Sequence, residues 1–201
     1  FLNRAKAEIG FAYGRLNDYY FQTSNMTFPN ATTDHSWYDL FAGSLSIERN
    51  SLDYKQYPIS GRKQFLVAQY VTGTEKYTPS PITDMGSFDR KVHSWLQMKG
   101  EWEQYKTISP HFNLGFMSEL VLSSKNLMNN YTASVLQAPA FTPTPHSQIV
   151  FNEAFRANQY VAFGLSPILK FSKLLHFRLD MYGFAPLYEI KKEEVWNNNT
   201  Y

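Results

Sequence analysis

The sequence contains no cysteine, which excludes a disulfide scaffold, a thiolate zinc site and a cysteine nucleophile. Charge is also scarce: charged residues make up 18% of the chain, the formal net charge is +2, and Lys and Arg are scattered. Without a basic patch, no nucleic-acid partner is expected. The apolar runs 65–71 and 160–169 are interrupted and fall short of the roughly 20 residues that a transmembrane helix needs. A helical membrane span is therefore excluded.

Aromatic residues, by contrast, are abundant at 17% of the chain, and apolar residues reach 43%. That apolar content is too high for a disordered chain. Combined with the low charge, it is unusual for a soluble domain of this length. A surface that meets something other than water is therefore expected.

Alternation with a period of two is the dominant local pattern, and it predicts β-strands with one apolar face. Six segments show it: 7–13, 41–47, 94–105, 111–123, 160–166 and 175–185. The stretch 64–72 is a strand by composition, but both of its faces carry apolar residues, so its orientation stays open. The sequence thus predicts about seven strands and no amphipathic helix.

The connections between these strands alternate in length. Long polar segments at 17–36, 78–92 and 124–158 alternate with shorter links at 50–60 and 106–110. In outer-membrane barrels, short periplasmic turns alternate with long extracellular loops. The predicted fold is therefore all-β, an antiparallel up-and-down transmembrane β-barrel of the bacterial outer membrane, of which this chain supplies about seven strands.

The apolar set of each strand is predicted to face lipid, and Trp and Tyr near the strand ends are expected to form girdles at the membrane interfaces. The lipid-facing candidates are Leu96, Met98, Trp102, Phe112, Leu114, Phe116, Leu120, Phe163, Phe177 and Leu179. Outer-membrane lipid is the partner that this surface implies.

The opposite set carries charge and is predicted to line an aqueous lumen. Its members are Lys99, Glu101, Glu103, Glu119, Arg178 and Asp180. If the turn centres near Ile108, Lys99 and Glu119 lie diagonally on neighbouring strands, within reach of each other. We expect these side chains to hold Arg156 at the end of the long loop 124–158, which is predicted to fold towards the lumen.

Two other interpretations stay open at this point. A soluble sandwich or lipocalin-like sheet that binds a partner shows the same alternation, because alternation alone does not say whether the apolar face meets lipid or a protein core. A free-standing porin-like barrel that passes solutes also fits.

Two short motifs resemble those of a known superfamily. Residues Asn50–Asp53, followed by Tyr57–Gly61, resemble the strand-turn-strand signature of the bacterial surface-antigen barrels, the outer-membrane assembly and two-partner-secretion superfamily. Residues Phe155–Tyr160 resemble the end of that superfamily's long sixth loop, whose Arg-Gly-aromatic tip docks in the lumen. Here Ala157 stands in place of the usual Gly, and the aromatic comes later, at Tyr160.

Over 37–186 the chain is most similar to the C-terminal barrel of patatin-like phospholipase family proteins of the Bacteroides type. That resemblance implies that residues 1–201 are a single partial barrel domain, the seventh to thirteenth of sixteen strands, with three more after Tyr201. It also implies a patatin-like lipase domain before Phe1, which the barrel would anchor, export or display, and possible contact with other envelope proteins.

No catalytic site is predicted within this chain itself. A patatin-like serine hydrolase needs a Gly-x-Ser-x-Gly turn, and the nearest approach, 43–47, lacks the second Gly and lies in a predicted strand. The five histidines share no metal-ligand spacing. The sequence therefore predicts no catalytic residue, metal or cofactor.

Overall fold

A computed structural model describes residues 5–21, 33–79, 89–125, 128, 131–172, 175–188 and 190. The elements within these ranges are β1 (Ala5–Tyr20), β2 (Asp34–Asn50), β3 (Gly61–Thr78), β4 (Asp89–Ser109), β5 (Phe112–Ser123), α1 (Tyr131–Leu136), β6 (Gln159–Lys170), β7 (His176–Arg178) and β8 (Met181–Tyr188). Each strand pairs antiparallel with the next, except that β7 and β8 both pair with β6. The predicted all-β, antiparallel up-and-down arrangement is confirmed.

Several strands run beyond the segments that alternate most clearly in sequence. The strands β1 to β4 continue into the predicted loops 17–36 and 78–92, because backbone pairing continues where the side chains become polar on both faces. The rest of those loops, 22–32 and 80–88, lies outside the described residues, and so do the three strands that the resemblance leads us to expect beyond residue 201.

Two local predictions were wrong. The turn between β4 and β5 lies at Pro110 and His111 rather than near Ile108, after an irregularity between Thr107 and Ser109. The predicted strand 175–185 is interrupted after β7, although β7 and β8 run along the same neighbour, β6. The described sheet thus has seven strand positions, with β1 and the β7–β8 pair at its edges.

One face of this sheet, called here the outer face, is apolar and open. Alternate side chains of every strand lie on it. Its exposed large apolar residues include Ile9, Phe11, Tyr13, Phe41, Leu45, Ile47, Leu66, Tyr70, Leu96, Met98, Trp102, Leu120, Leu122, Phe163, Leu165, Leu169, Phe177, Leu179 and Met181. The orientation of β3, which the sequence left open, is now decided: Leu66 and Tyr70 lie on the outer face, and Val71 is buried on the opposite face.

The opposite face, called the inner face, is covered in part by the chain between β5 and β6, while the inner positions of β1 before Tyr20 are exposed or half-buried. Met128 and Ala133 pack against Tyr38 and Trp95. Further along, Phe141 packs in a second cluster that includes Tyr160 and Val121. We call the described part of this connection, residue 128 and residues 131–157, the inner segment.

The inner segment contains the short helix α1, which the sequence did not predict. The helix is six residues long, and a single apolar side of that length leaves no readable period in a polar stretch. Its buried residues are Ala133, Ser134 and Val135. In the part of the chain that the structure describes, no helix has the length and apolarity to cross a membrane.

The sheet curves around the inner segment. The side chain of Gln137 donates to Asp18 on β1 at 2.9 Å, while the ring of Phe141 lies 6.1 Å from that of Phe184 on β8. In a flat sheet the six steps from β1 to β8 would cover about 29 Å, whereas residues 137 and 141 are at most about 14 Å apart along the chain. Together with the reach of these side chains, the difference indicates that the sheet curves around the inner segment, so that strands at both ends of the strand order contact one short stretch.

Candidate functional site

A row of paired charges runs across the inner face from β3 to β5. Lys63 Nζ lies 2.7 Å from a carboxylate oxygen of Glu101 and 3.9 Å from Glu103. Lys99 Nζ lies 2.9 Å from Glu101 and 3.3 Å from Glu119. The predicted contact between Lys99 and Glu119 is therefore present, and Glu103 is the least closely paired carboxylate of the row.

The row ends at a buried hydrogen bond on β6. Glu119 is 5% exposed and Tyr160 is fully buried, and the Tyr160 hydroxyl donates to Glu119 Oε1. A buried carboxylate is costly unless it is paired and hydrogen-bonded. Lys99 and Tyr160 together meet that requirement, so the row is a connected network rather than a set of solvated charges.

A second charged group lies on the inner face at β7 and β8. Arg178 Nε donates to Asp180 Oδ1 at 2.7 Å, and Ser166 donates to the same oxygen at 2.5 Å. The guanidinium also donates to the Tyr105 hydroxyl at 3.1 Å and lies 5.2 Å from that ring's centre. Arg178 is thereby held in a fixed direction.

The Arg178 guanidinium also contacts the turn between β2 and β3, which crosses the end of the inner face. Arg178 Nη1 donates to the Pro58 carbonyl at 2.8 Å, and Asn113 on β5 donates to the Ile59 carbonyl at 2.7 Å. Within the turn, Asp53 Oδ1 accepts from the backbone N–H groups of Tyr54, Ile59 and Ser60 at 3.0–3.2 Å. The turn is therefore a rigid closure rather than a free loop.

A cavity of about 490 Å³ lies between this turn and the inner segment. The charged row and Arg178 form its walls, the turn contributes residues 55–58, and the inner segment contributes residues 142–145 and Gln148. Of the seven side chains predicted to line a lumen or to anchor the loop there, six thus lie on one face, and five of these, all but Asp180, line this cavity.

Arg156, the seventh, does not join the loop to these carboxylates. Its Nη1 donates to the carbonyls of Leu136 and Ala138 at 2.9 and 3.0 Å, and its guanidinium lies 4.6 Å from the centre of the Phe151 ring. Its buried Nε has no hydrogen-bond partner. A basic side chain at a helix C-terminus satisfies carbonyls that the helix leaves open. The prediction that Arg156 pairs with the acidic wall was wrong: it closes α1 and holds the inner segment together.

The docking contact that the sequence missed is Lys125, just after β5. Its Nζ donates to the Gln137 carbonyl at 2.6 Å and lies 4.9 Å from the centre of the Trp95 ring. Burial lowers the pKa of Lys125 to about 8, although the nearby charge of Glu75 acts in the opposite direction. Nothing in the sequence around Lys125, a single lysine in a polar connection, indicates that it is buried.

A buried polar group beneath α1 was also missed. Glu75 is fully buried and His93 is 5% exposed. His93 Nε2 lies 2.7 Å from Glu75 Oε2, and the Tyr38 hydroxyl donates to Glu75 Oε1 at 3.3 Å. These residues are far apart in sequence and share no motif, so only the register of β2, β3 and β4 brings them together.

The ten predicted lipid-facing residues all lie on the outer face. Seven are exposed, and Phe112, Leu114 and Phe116 are half-buried. Aromatic rings contact one another near both ends of the outer face. Trp102, Phe116 and Phe163 form a row with ring centres 5.3 and 6.5 Å apart at one end, and Tyr19, His35 and Trp37 form a row at the other. Other Trp and Tyr residues near strand ends lie on the inner face instead: Tyr20, Tyr38, Trp95, Tyr105 and Tyr182.

Within the described ranges, no group of three or more His, Asp or Glu side chains is arranged to hold a metal ion. Comparisons with protein-family models, with curated proteins and with solved structures found no match. The resemblance to the surface-antigen barrels therefore has no support beyond the motifs at 50–61 and 155–160.

Proposed function

We propose that this chain is part of the wall of an outer-membrane β-barrel, with its outer face in contact with lipid and its inner face closed by the inner segment. The observation that carries the proposal is the separation of the two faces. Large apolar side chains are exposed on one face of the sheet, while the ion pairs of the charged row are on the other, beneath a covering segment. A soluble sheet buries its apolar face and exposes its charges.

The extent of the apolar outer face matches a bilayer. On β2 it is bounded by Asp39, which pairs with Arg15 at 2.7 Å, and by Arg49. At about 3.3 Å per residue this stretch rises about 33 Å, and a tilt of about 40° reduces its height to about 25 Å, the height of the apolar band in such barrels. Between these limits the outward positions of β2 are Phe41, Gly43, Leu45 and Ile47.

The covering segment favours a closed wall over an open porin. The cavity is bounded by the turn at one end and by the inner segment at the other, and the segment packs through two buried clusters. Passage of a solute would require at least one of these closures to move. The chain is thus better suited to anchoring or displaying an attached domain than to free diffusion of solutes.

In this proposal, the domain attached to the barrel is the patatin-like lipase domain that the resemblance implies. Sequencing the gene on both sides of the region that encodes these residues tests it: a Gly-x-Ser-x-Gly domain upstream would support it. An upstream region without such a domain would leave the barrel proposal standing and remove the lipase.

Matched arginine substitutions test the lipid contact itself. Met98→Arg places a charge in the middle of the outer face, whereas Gln97→Arg places it one residue away on the inner face. A charge at the bilayer midplane costs about 2–4 kcal/mol, so Met98→Arg should reduce folding into lipid vesicles, measured by heat-modifiable gel migration, far more than Gln97→Arg. Equal effects, or a wild-type protein that stays in the aqueous phase on detergent partition, would favour the soluble binding module.

A further inference from the structure

Glu103 is the carboxylate of the cavity wall with the weakest pairing. Glu101 and Glu119 each have a lysine Nζ within 3.3 Å, whereas Lys63 Nζ lies 3.9 Å from Glu103, beyond hydrogen-bond distance. None of the described residues donates a hydrogen bond to the Glu103 side chain. That side chain is 20% exposed, so it is largely removed from water but still reachable from the cavity. A carboxylate in this position is stabilised by a cationic hydrogen-bond donor, which a ligand can supply.

The charges of the row do not balance. Three carboxylates and two lysines form it, so one negative charge is left over; the members are Glu101, Glu103, Glu119, Lys63 and Lys99. Arg178 does not offset that charge, because it is paired with Asp180 at 2.7 Å. Lys55 on the β2–β3 turn also lines the cavity, but it is exposed, and no described carboxylate is within ion-pair distance of it. The cavity therefore favours a cationic ligand.

An apolar strip crosses the cavity wall next to Glu103. Glu103 pairs with Met117 on β5, and Met117 pairs with Gly164 on β6. Tyr182 on β8 pairs with Gly164 in turn, and its ring covers that glycine. A Cβ added to Gly164 would lie 2.9 Å from a Tyr182 ring carbon and 3.3 Å from the Met117 Cβ. A carboxylate, a thioether and an aromatic ring thus follow one another across two strand spacings, about 10 Å.

This order of groups matches an ammonium group on an apolar stem. The ammonium group supplies both the charge and the donors that Glu103 lacks, while methylene groups pack on the Met117 thioether and the Tyr182 ring. The cavity volume of about 490 Å³ lies in the range of small-ligand sites. A metal ion fits less well, because no set of three His, Asp or Glu side chains among the described residues is arranged to hold one.

We infer that this cavity binds a small organic amine, with the ammonium group on Glu103 and the apolar stem lying across Met117 towards the ring of Tyr182. The inference goes beyond the proposed function and does not rest on it. The inner face, the β2–β3 turn and the inner segment form the cavity whether or not the outer face contacts lipid.

The test is a calorimetric titration of the full chain, folded in micelles of an uncharged detergent, with cadaverine, a linear diamine. Its neutral match is the pentanediol of the same length, which should not bind. Glu103→Gln should weaken cadaverine binding by at least about tenfold, because a charge-assisted hydrogen bond is lost. The matched control is Glu8→Gln, which removes a carboxylate from the inner face of β1, where Glu8 pairs with Lys6. It should leave the affinity unchanged.

Two further measurements decide the matter if circular dichroism shows that Glu103→Gln is not folded. Tyr182→Leu should weaken cadaverine binding by about threefold, because the aromatic contact with a cationic ligand is lost. Cadaverine should also slow the labelling of Met117→Cys by a maleimide, and the pentanediol should not.

A wild-type protein that does not bind cadaverine, or that binds the pentanediol equally well, overturns the inference. Folded Glu103→Gln with wild-type affinity also overturns it, and so does folded Tyr182→Leu with wild-type affinity. A protein that stays in aqueous solution and needs no detergent is titrated in buffer. That behaviour counts against the proposed function and leaves this test intact.

Discussion

Lys99 lies between two carboxylates that the β4–β5 register places directly opposite each other. Glu101 pairs with Glu119 across the strands, an arrangement that like charges make unfavourable. Lys99 Nζ lies within 3.3 Å of both. Because Lys99 lies two residues before Glu101 on the same strand, its ammonium group offsets the repulsion between the two carboxylates in this register.

The first prediction concerns this bridge. Lys99→Met should destabilise the folded chain by about 3–5 kcal/mol, because it leaves a buried charge without its partner. Adding Glu119→Gln should restore a large part of that loss. Urea unfolding in micelles, followed by tryptophan fluorescence, gives both values. Lys6→Met, at an exposed lysine, is the control and should leave the free energy of unfolding nearly unchanged. If the losses in the free energy of unfolding of Lys99→Met and Glu119→Gln simply add in the double variant, Lys99 and Glu119 do not stabilise each other.

The second prediction concerns the docking of the inner segment through Phe141, which is 3% exposed. Phe141→Ala truncates the largest side chain that the inner segment contributes to the second buried cluster, at a cost of about 3–5 kcal/mol. Trypsin cleavage after Arg156, which requires the segment to open, should accelerate at least about a hundredfold. The comparison is Ile149→Ala in the same segment, since Ile149 is 83% exposed. Equal cleavage rates in the two variants would mean that this cluster does not hold the segment.

The third prediction concerns the closure made by the β2–β3 turn. The chain has no cysteine, so a single Cys at Met117, in the cavity wall, reports on access from outside. Arg178→Gln removes the bond to the Pro58 carbonyl, and a charged hydrogen bond contributes about 1.5–3 kcal/mol. Labelling of Met117→Cys by a water-soluble maleimide should therefore be about tenfold faster or more. Arg15→Gln, at the far end of the outer face, should not change the rate. An unchanged rate in Arg178→Gln would show that the turn is not held by this residue.

The fourth prediction concerns Lys125, whose pKa is lowered to about 8 by burial against Trp95. When the segment is undocked, a lysine has a pKa of about 10.4. Below pH about 8 both states are protonated and docking does not depend on pH. Between about 8 and about 10.4 the undocked state binds more protons, so docking strengthens as pH rises.

The measurement is NMR titration of ¹³C-methylated lysines in the folded protein. One resonance should titrate near pH 8 and be absent in Lys125→Met. Lys6→Met, at an exposed lysine on β1, is the comparison and should leave the resonance near pH 8 in place. The absence of any lysine resonance that titrates near pH 8 would contradict the burial.

The strands and their faces could be predicted because the cause is local. Successive side chains of a strand point to opposite faces, so the alternation around Met98 and Leu120 was sufficient to assign them to one face and Lys99 and Glu119 to the other. The orientation of β3 could not be predicted, because Phe65, Leu66 and Val67 are all apolar. Its pairing with β2 and β4 decided it.

The candidate site was only partly predictable. Lys99 and Glu119 are close because a short turn joins their strands. Arg156 was assigned the wrong partners, because its carbonyl acceptors on Leu136 and Ala138 belong to a helix too short to leave a pattern in the sequence. The contacts of Lys125 and of the Pro58 carbonyl join parts of the chain that no local rule connects.

The amino-acid sequence by itself determined which side chains share a face, since a period of two needs only backbone geometry. It also determined that one face would be apolar and the other charged. The tertiary structure decided how the sheet curves, what covers the charged face and which groups become buried. Those properties depend on contacts such as Gln137 with Asp18 and Phe141 with Phe184, which form only when the edge strands approach the same segment.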